Sequence, residues 1–413
     1  MSISDQSANF SNLGNSQAAR VSPKYQVADL DPKLSVALNN FAVESYTQLD
    51  TELSDRAAES NRIFSPIGLA FTLSMLRNAA QGKTAEQLDE VLHTDAMTPE
   101  AWNQAQTVAQ DLLRHSDSSV KLEIAHSLWS GSSTQLNTDY VQNMQKHYDA
   151  QIEALDLSVE KSVKIINQWA SDHTNEKIPK VLQDPPGAEV VLLLMNAMYF
   201  NGQWSTPFEA ELTQDSAFRT KDGQSIQVPM MKQAGTYEYG EEQGFQVVRL
   251  PYGESEKFGM TLILPDKDTS LKQFNQQHLI NFEQWSQPLT ERRGSIELPR
   301  FQIANRFTLN DMLIALGMPD TFSGEKAKFG GLLESSAQSG RVFVSLVKQD
   351  TFIEVNEQGT EAAAVTTVFV AGGAPPKDSP FEMKFNRPFF FAITDRTTGL
   401  IVFMGEVGNP LES

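Results

Sequence analysis

The run VVLLLMNAMYF at residues 190–200 limits this chain more than any other stretch. Its residues suit a strand, and it is too densely apolar to lie against solvent. A fold that accepts it needs a large β-structure with that strand inside. The chain has the material for one: 40% of its 413 residues are hydrophobic, enough for a substantial core.

Around that strand the texture changes along the chain. Before it, apolar residues recur at helical spacing. Leu34, Ala37, Leu38, Phe41, Ala42, Ser45 and Leu49 form one face of a predicted helix. A second helix follows Ser65, a capping residue, and Pro66, which suits the first helical position. Its face is Leu69, Leu73, Leu76 and Ala80, and further helices are predicted over 100–114 and 162–174. After residue 190, strands dominate. Residues 244–250 and 258–264 flank Pro251, Tyr252 and Gly253 in a hairpin pattern, and 295–301, 341–347, 381–391 and 400–407 follow. Helices early and strands late predict one large α+β domain over 34–413. Residues 1–33, rich in Ser, Asn, Gln and Asp, read as a flexible N-terminal tail.

Charge and motifs exclude several functions. The net charge of −19 argues against nucleic acid or an anionic membrane as partner, since both select a basic face. No basic run suits heparin. With no cysteine, disulfides, thiolate metal sites and a thiol nucleophile are excluded. Gly82, Lys83 and Thr84 resemble the end of a phosphate loop, but Arg77 stands where its first glycine belongs, so they mark a helix boundary. The six histidines show no metal-binding spacing, and Ser158 with Lys161 lacks the companion motifs of a Ser-x-x-Lys nucleophile. No cofactor and no enzymatic activity are expected. The start of the chain has neither a basic end nor an apolar stretch, so it does not read as a secretory leader.

The informative segment is TFIEVNEQGTEAAAVTTVFVAGGAPPKDSPFEMKFNRP, residues 351–388. A strand leads into Glu357, Gln358 and Gly359, and small residues then fill the chain. Thr360, Ala362, Ala364, Thr366, Val368 and Val370 alternate, so in a strand they share one face. That face is small or β-branched and carries no charge, as a strand laid over a core requires. Gly359 stands where the backbone would have to swing. Taken alone, Glu361, Ala362, Ala363 and Ala364 suit a helix equally well, alanine being the best helix former.

This segment resembles the reactive-centre hinge of the serpin family, and the likeness extends over 34–410. MKFNRPFFF at 383–391, FMGEVGNP at 403–410, the stretch 61–70, NAMYFNGQW at 196–204, VPMM at 228–231 and LGM at 316–318 all match. The resemblance implies a serpin fold: helices packed around three β-sheets with an exposed reactive-centre loop. It also implies a mechanism. The loop offers a bait bond to a serine protease, or to a cysteine protease, the acyl-enzyme forms, and the cleaved loop then inserts into the large sheet and drags the enzyme along in a covalent acyl complex. The family alternative is a non-inhibitory chaperone or carrier. The family favours an extracellular or periplasmic location, with a cytoplasmic one if Met1 is the native start, and a monomer.

Residue by residue, the resemblance makes Glu357, Gly359, Thr360, Glu361, Ala362, Ala363, Ala364 and Thr366 the hinge. Trp204 falls at the breach, where the loop first enters. Of the shutter beneath the sheet, Ser65 and Asn196 match, Gly68 replaces a second serine, and Gln349 stands at the histidine position. A working shutter without a titrating member is expected. Counting from Glu357, the bait bond joins Gly373 to Ala374, with Val370, Ala371 and Gly372 beside it. Counting back from Phe385 allows a shift of a few residues. The small neighbours suggest an elastase- or subtilisin-like target. Phe369 would suit a chymotrypsin-like enzyme and Lys377 a trypsin-like one, both off that register.

Overall fold

The computed structural model describes residues 22–53, 60–280, 289–334, 342–360 and 379–412. The first half runs α1 (Pro32–Leu53), β1 (Asn61–Phe64), α2 (Pro66–Ala79), α3 (Gly82–Leu92), α4 (Pro99–His115), β2 (Val120–Gly131), α5 (Thr138–Tyr148), β3 (Gln151–Leu155), α6 (Glu160–His173) and β4 (Leu192–Gln203). Then come β5 (Gln214–Arg219), β6 (Ser225–Glu242), β7 (Phe245–Tyr252), β8 (Phe258–Pro265), α7 (Leu271–Phe274), β9 (Thr290–Pro299) and β10 (Phe301–Thr308). The chain closes with α8 (Asn310–Ala315), β11 (Val344–Asn356), β12 (Gly359–Thr360), β13 (Phe381–Lys384), β14 (Phe389–Asp395) and β15 (Ile401–Val407).

The mixture is α+β; from β4 onward, β4, β7, β8, β9, β11, β13, β14 and β15 fall on the predicted apolar runs, whereas β5, β6 and β10 are not predicted. Helix α3 starts at Gly82, so the phosphate-loop look-alike is a helix N-terminus. Before α1, the N–H groups of Lys24 and Tyr25 donate to Asp111 on α4, which ties residues 24 and 25 to the body of the fold.

The resemblance implies three sheets, whereas the strands among the described residues form two hydrogen-bonded networks. The six-stranded one has the order β10-β11-β12-β4-β2-β3. The nine-stranded one has the order β1-β15-β14-β8-β7-β6-β9-β13, with β5 attached to β6. The reason for the difference is β6. Its early residues pair with β5, its middle with β9 and its end with β7, so one long strand carries the ladder through what would otherwise be two sheets.

The dense run at 190–200 has its explanation in β4. One face of β4 and β2, with Leu122, Ile124, Leu194, Met198 and Phe200, joins the main core. The other face, with Ala125, Trp129, Leu193, Met195 and Ala197, packs under Val163, Ile166, Trp169 and Ala170 of α6. A strand covered on both faces has no polar alternation to keep. Helix α2 lies in the main core, in contact with β2, β4 and β15, and its residues from Pro66 to Leu76 are buried. Ser65 caps it, accepting from the Gly68 N–H, and Pro66 takes the first position.

Candidate functional site

The six-stranded sheet carries a seam. Strands β4 and β11 run parallel and pair directly from Leu192 with Val344 to Tyr199 with Phe352. Beyond that point they diverge, and β12 fills the gap. Gly359 pairs with Asn356 on one side and Gln203 on the other, and Thr360 pairs with Val355 and Gly202, antiparallel to both neighbours. Two residues of the segment singled out by its alternation thus already sit inside the six-stranded sheet.

Several contacts fix that seed. Gly359 has φ +146°, and a Cβ there would meet the Gly202 carbonyl oxygen at 2.1 Å and the Trp204 nitrogen at 2.8 Å. Glycine is needed both for the backbone angle and for the approach. Thr360 is fully buried, and its Oγ1 lies 2.7 Å from the Tyr252 hydroxyl. Tyr252 stacks on Trp204 with ring centroids 4.4 Å apart. Trp204 donates from Nε1 to the Asn356 carbonyl and from its backbone N–H to the Gln358 carbonyl, so it holds the tight turn that precedes Gly359. Glu357, also buried, accepts from Arg300 Nε at 2.7 Å and from the Thr213 hydroxyl. Burial pushes the Glu357 carboxyl up, but the hydrogen bonds from Arg300 and Thr213 outweigh it and hold it below the usual range.

Further down the seam, Ser65, Asn196 and Gln349 do come together. The Gln349 side-chain amide pairs with the Ser65 backbone, accepting from its N–H at 2.9 Å and donating to its carbonyl at 2.7 Å. It also donates to Asn196 Oδ1 at 3.0 Å, which bridges β11 to β4 by side chains. Ser65 Oγ donates to the Val402 carbonyl and fastens the same point to β15. Gly68, in the place of a second serine, makes room for this arrangement. A Cβ there would meet Asn196 Oδ1 at 2.3 Å.

A titrating residue does stand against this cluster, contrary to the sequence expectation. His126 of β2 lies 3.3 Å from Asn196 Nδ2 and 3.0 Å from Thr72 Oγ1. Gln349 therefore occupies one place while a histidine reaches Asn196 from the neighbouring strand. The outer face of the seam is covered by α6 and the chain after it. Arg306 bridges this chain to the sheet, donating to Asp350 of β11 at 2.8 Å and to the Lys180 carbonyl. Burial lifts the Asp350 carboxyl above its ordinary range despite that pairing.

Of the predicted hinge, Glu357, Gly359 and Thr360 are described. Glu361, Ala362, Ala363, Ala364 and Thr366, and the bait neighbourhood Val370, Ala371, Gly372, Gly373 and Ala374, lie outside the described residues. Sequence reasoning missed Tyr252, Arg300, Thr213 and His126. Tyr252 stands in a recognised hairpin pattern, but a partner more than a hundred residues distant leaves no local mark. In the sequence His126 is one of six histidines without metal-binding spacing.

Comparison with known proteins places this geometry. A family model described as serpin (serine protease inhibitor) matches residues 36–410. Human serpin B11 is 31% identical over 400 residues, covering 91% of this chain and all of that protein. Human antithrombin-III is 32% identical over 388 residues, covering 92% of this chain and 82% of that protein. The crystal structure of the thermophilic serpin tengpin in its native state superposes with TM-score 0.83 at 28% identity, covering 94% of this chain and 96% of that one.

Proposed function

The chain belongs to the serpin family, and we propose that it inhibits serine proteases as a suicide substrate, through the seam between β4 and β11. The observation that carries this reading is the seating of Gly359 and Thr360 as an antiparallel strand between β4 and β11. Continuing that pairing in register brings Ala362 between Phe200 and Ile353, Ala364 between Met198 and Thr351, and Thr366 between Asn196 and Gln349. Val368 follows between Leu194 and Val347. Residues paired across neighbouring strands point to the same face. The alternate residues from Thr360 to Val370 therefore turn toward the main core, beside Phe200, Met198 and Leu194, which are buried in it. The absence of charge on that face is what such a register demands.

The sequence of events follows from this geometry. The protease attacks the bait bond, placed by count between Gly373 and Ala374, and its serine is acylated while the downstream segment leaves. The freed upstream segment zips into the seam from Thr360 downward. Each step exchanges one parallel pairing between β4 and β11 for two antiparallel ones. About fifteen inserted residues span roughly 50 Å, and ladder bonds at roughly 0.5–1.5 kcal/mol each give on the order of 10 kcal/mol. That gain is comparable to the stability of a whole domain, so the uncut fold is the metastable one. The acylated protease is carried along before water reaches the ester.

The test is incubation with pancreatic elastase, subtilisin, chymotrypsin and trypsin, followed by a denaturing gel. A covalent complex with an elastase- or subtilisin-like enzyme is expected. Cleavage by all four without a complex would overturn the inhibitory reading.

A further inference from the structure

Among the described residues that meet Asn196, His126 is a titratable side chain to which the reading above gives no task. His126 is 1% exposed, on the face of β2 that meets the main core. Thr72 of α2 faces its Nδ1, and the Thr72 hydroxyl also reaches the Gly68 carbonyl at 2.9 Å. Asn196, the residue bridged to Gln349, stands at 3.3 Å from the same nitrogen and also donates to the Ala125 carbonyl at 3.0 Å. His126 Nε2 is buried without a hydrogen-bond partner among the described residues, and Phe71 packs edge-on against the ring. From α4 the charge that acts on it is Arg114, and from α6 it is His173. α2 presents Thr72 and Phe71, and β4 presents Asn196. Among the described residues no carboxylate meets the ring.

This environment accepts a neutral imidazole and rejects the imidazolium. With both nitrogens protonated, Nδ1–H would face the donor amide of Asn196 and could donate only to Thr72 Oγ1, so the ring could no longer accept from Asn196. Burial is the main reason the ring's pKa is held down, to about 3, with smaller electrostatic contributions from Arg114 and His173 in the same direction.

We propose that His126 is a positioning residue for loop insertion: as a neutral imidazole it holds Asn196 in place across the seam, and on gaining a proton it releases it. The proposal rests on the insertion reading above. The sign follows from linkage. An opened seam exposes the ring to water and restores its ordinary pKa, so the open state binds the proton that the closed state refuses. Opening therefore becomes easier as pH falls below about 6.5.

Uptake of a synthetic peptide with the sequence of residues 360–373 tests this without any protease. The probe competes for the seam, and its rate of uptake is followed by native-gel mobility and tryptophan fluorescence. For the unsubstituted chain the rate should rise about tenfold from pH 7.5 to 5.5, the ratio for a ring moving from a depressed to an ordinary pKa. His126→Asn keeps a polar partner for Asn196 but cannot take a proton, and its rate should be flat across that range. His126→Ala should take up peptide faster at pH 7.5 and also show no pH dependence. The same pH dependence in His126→Asn as in the unsubstituted chain would overturn the proposal. So would an unchanged rate for His126→Ala at pH 7.5, or no uptake at any pH. Protease trapping is measured on the same samples. Trapping with a His126-independent uptake rate sinks only the proposal, whereas His126-dependent uptake without trapping sinks only the inhibitory reading.

Discussion

The two ends of the seam are built on opposite plans. At its upper end a glycine and a threonine already part β4 from β11, held by Trp204, Tyr252 and the carboxylate of Glu357. Halfway down, around Asn196 and Gln349, the two strands are in direct contact and side chains bolt them together. The upper end is open because each added residue meets a partner it can keep. The middle is shut because its polar groups satisfy one another and would have to part before Thr366 could take their place. On the insertion proposed above, the barrier lies at the middle, and the upper end sets only the register in which the loop starts.

That contrast can be broken by substitution, with the largest effect at the seed. Thr360→Arg puts a guanidinium against the Tyr252 hydroxyl in a buried position, and an unpaired buried ion costs several kcal/mol. The variant should be cleaved as a substrate, with no covalent complex on a denaturing gel. Persistence of the complex would mean that Thr360 does not enter the sheet.

Gln349→Ala comes next. It strips the Ser65 backbone and Asn196 Oδ1 of their partner, and buried groups left unsatisfied cost about 1–3 kcal/mol. The thermal midpoint of the uncut protein should fall, and inhibitory activity should decay faster on storage at a fixed temperature. If neither moves, the middle of the seam is not the barrier.

Gly359→Val acts on the other end alone. Its strain, about 1–3 kcal/mol, should expel β12. Hydrogen exchange at the Thr360 and Gly202 amides should accelerate while exchange at Asn196 stays unchanged. Equal acceleration at Asn196 would show that the two ends open together.

The smallest effect is expected for Glu357→Gln. Arg300 is 45% exposed, so solvent screens the pairing and leaves it worth about 1 kcal/mol or less. Because the folded Glu357 carboxyl is held below its ordinary value, its contribution is complete above about pH 4.5 and fades as pH falls through the depressed value. Urea midpoints taken from pH 6 to pH 3.5 should therefore converge for the two proteins at the acid end.

Gly359 was legible in the sequence because its requirement is local. A position where an added Cβ would lie 2.1 Å from a carbonyl oxygen admits only glycine. Strand β4 was legible because burial on both faces removes every polar alternation. Strand β2 was not. Its Lys121, Glu123, His126, Ser127 and Ser130 interrupt the apolar run, although most of the strand is buried. Arg300, between β9 and β10, and Thr213, just before β5, reach Glu357 only because these segments fold to the end of β11, a matter of topology that spacing cannot express. The place of His126 was hidden for the same reason: only the pairing of β2 with β4 sets His126 opposite Asn196.

Register is the claim on which the rest depends, and the chain's lack of cysteine makes it directly measurable. A double variant, Ala364→Cys with Met198→Cys, is cleaved in the loop under mild oxidation, beside a control pairing Ala364→Cys with Phe200→Cys. Directly opposed residues come within reach of a disulfide, while diagonal ones, about 7–8 Å apart, do not. The account predicts that the 364 and 198 pair crosslinks only after cleavage, that the control pair does not, and that the cut protein melts well above the intact one. No crosslink in the first pair, or a cut form that melts no higher than the intact one, would contradict it.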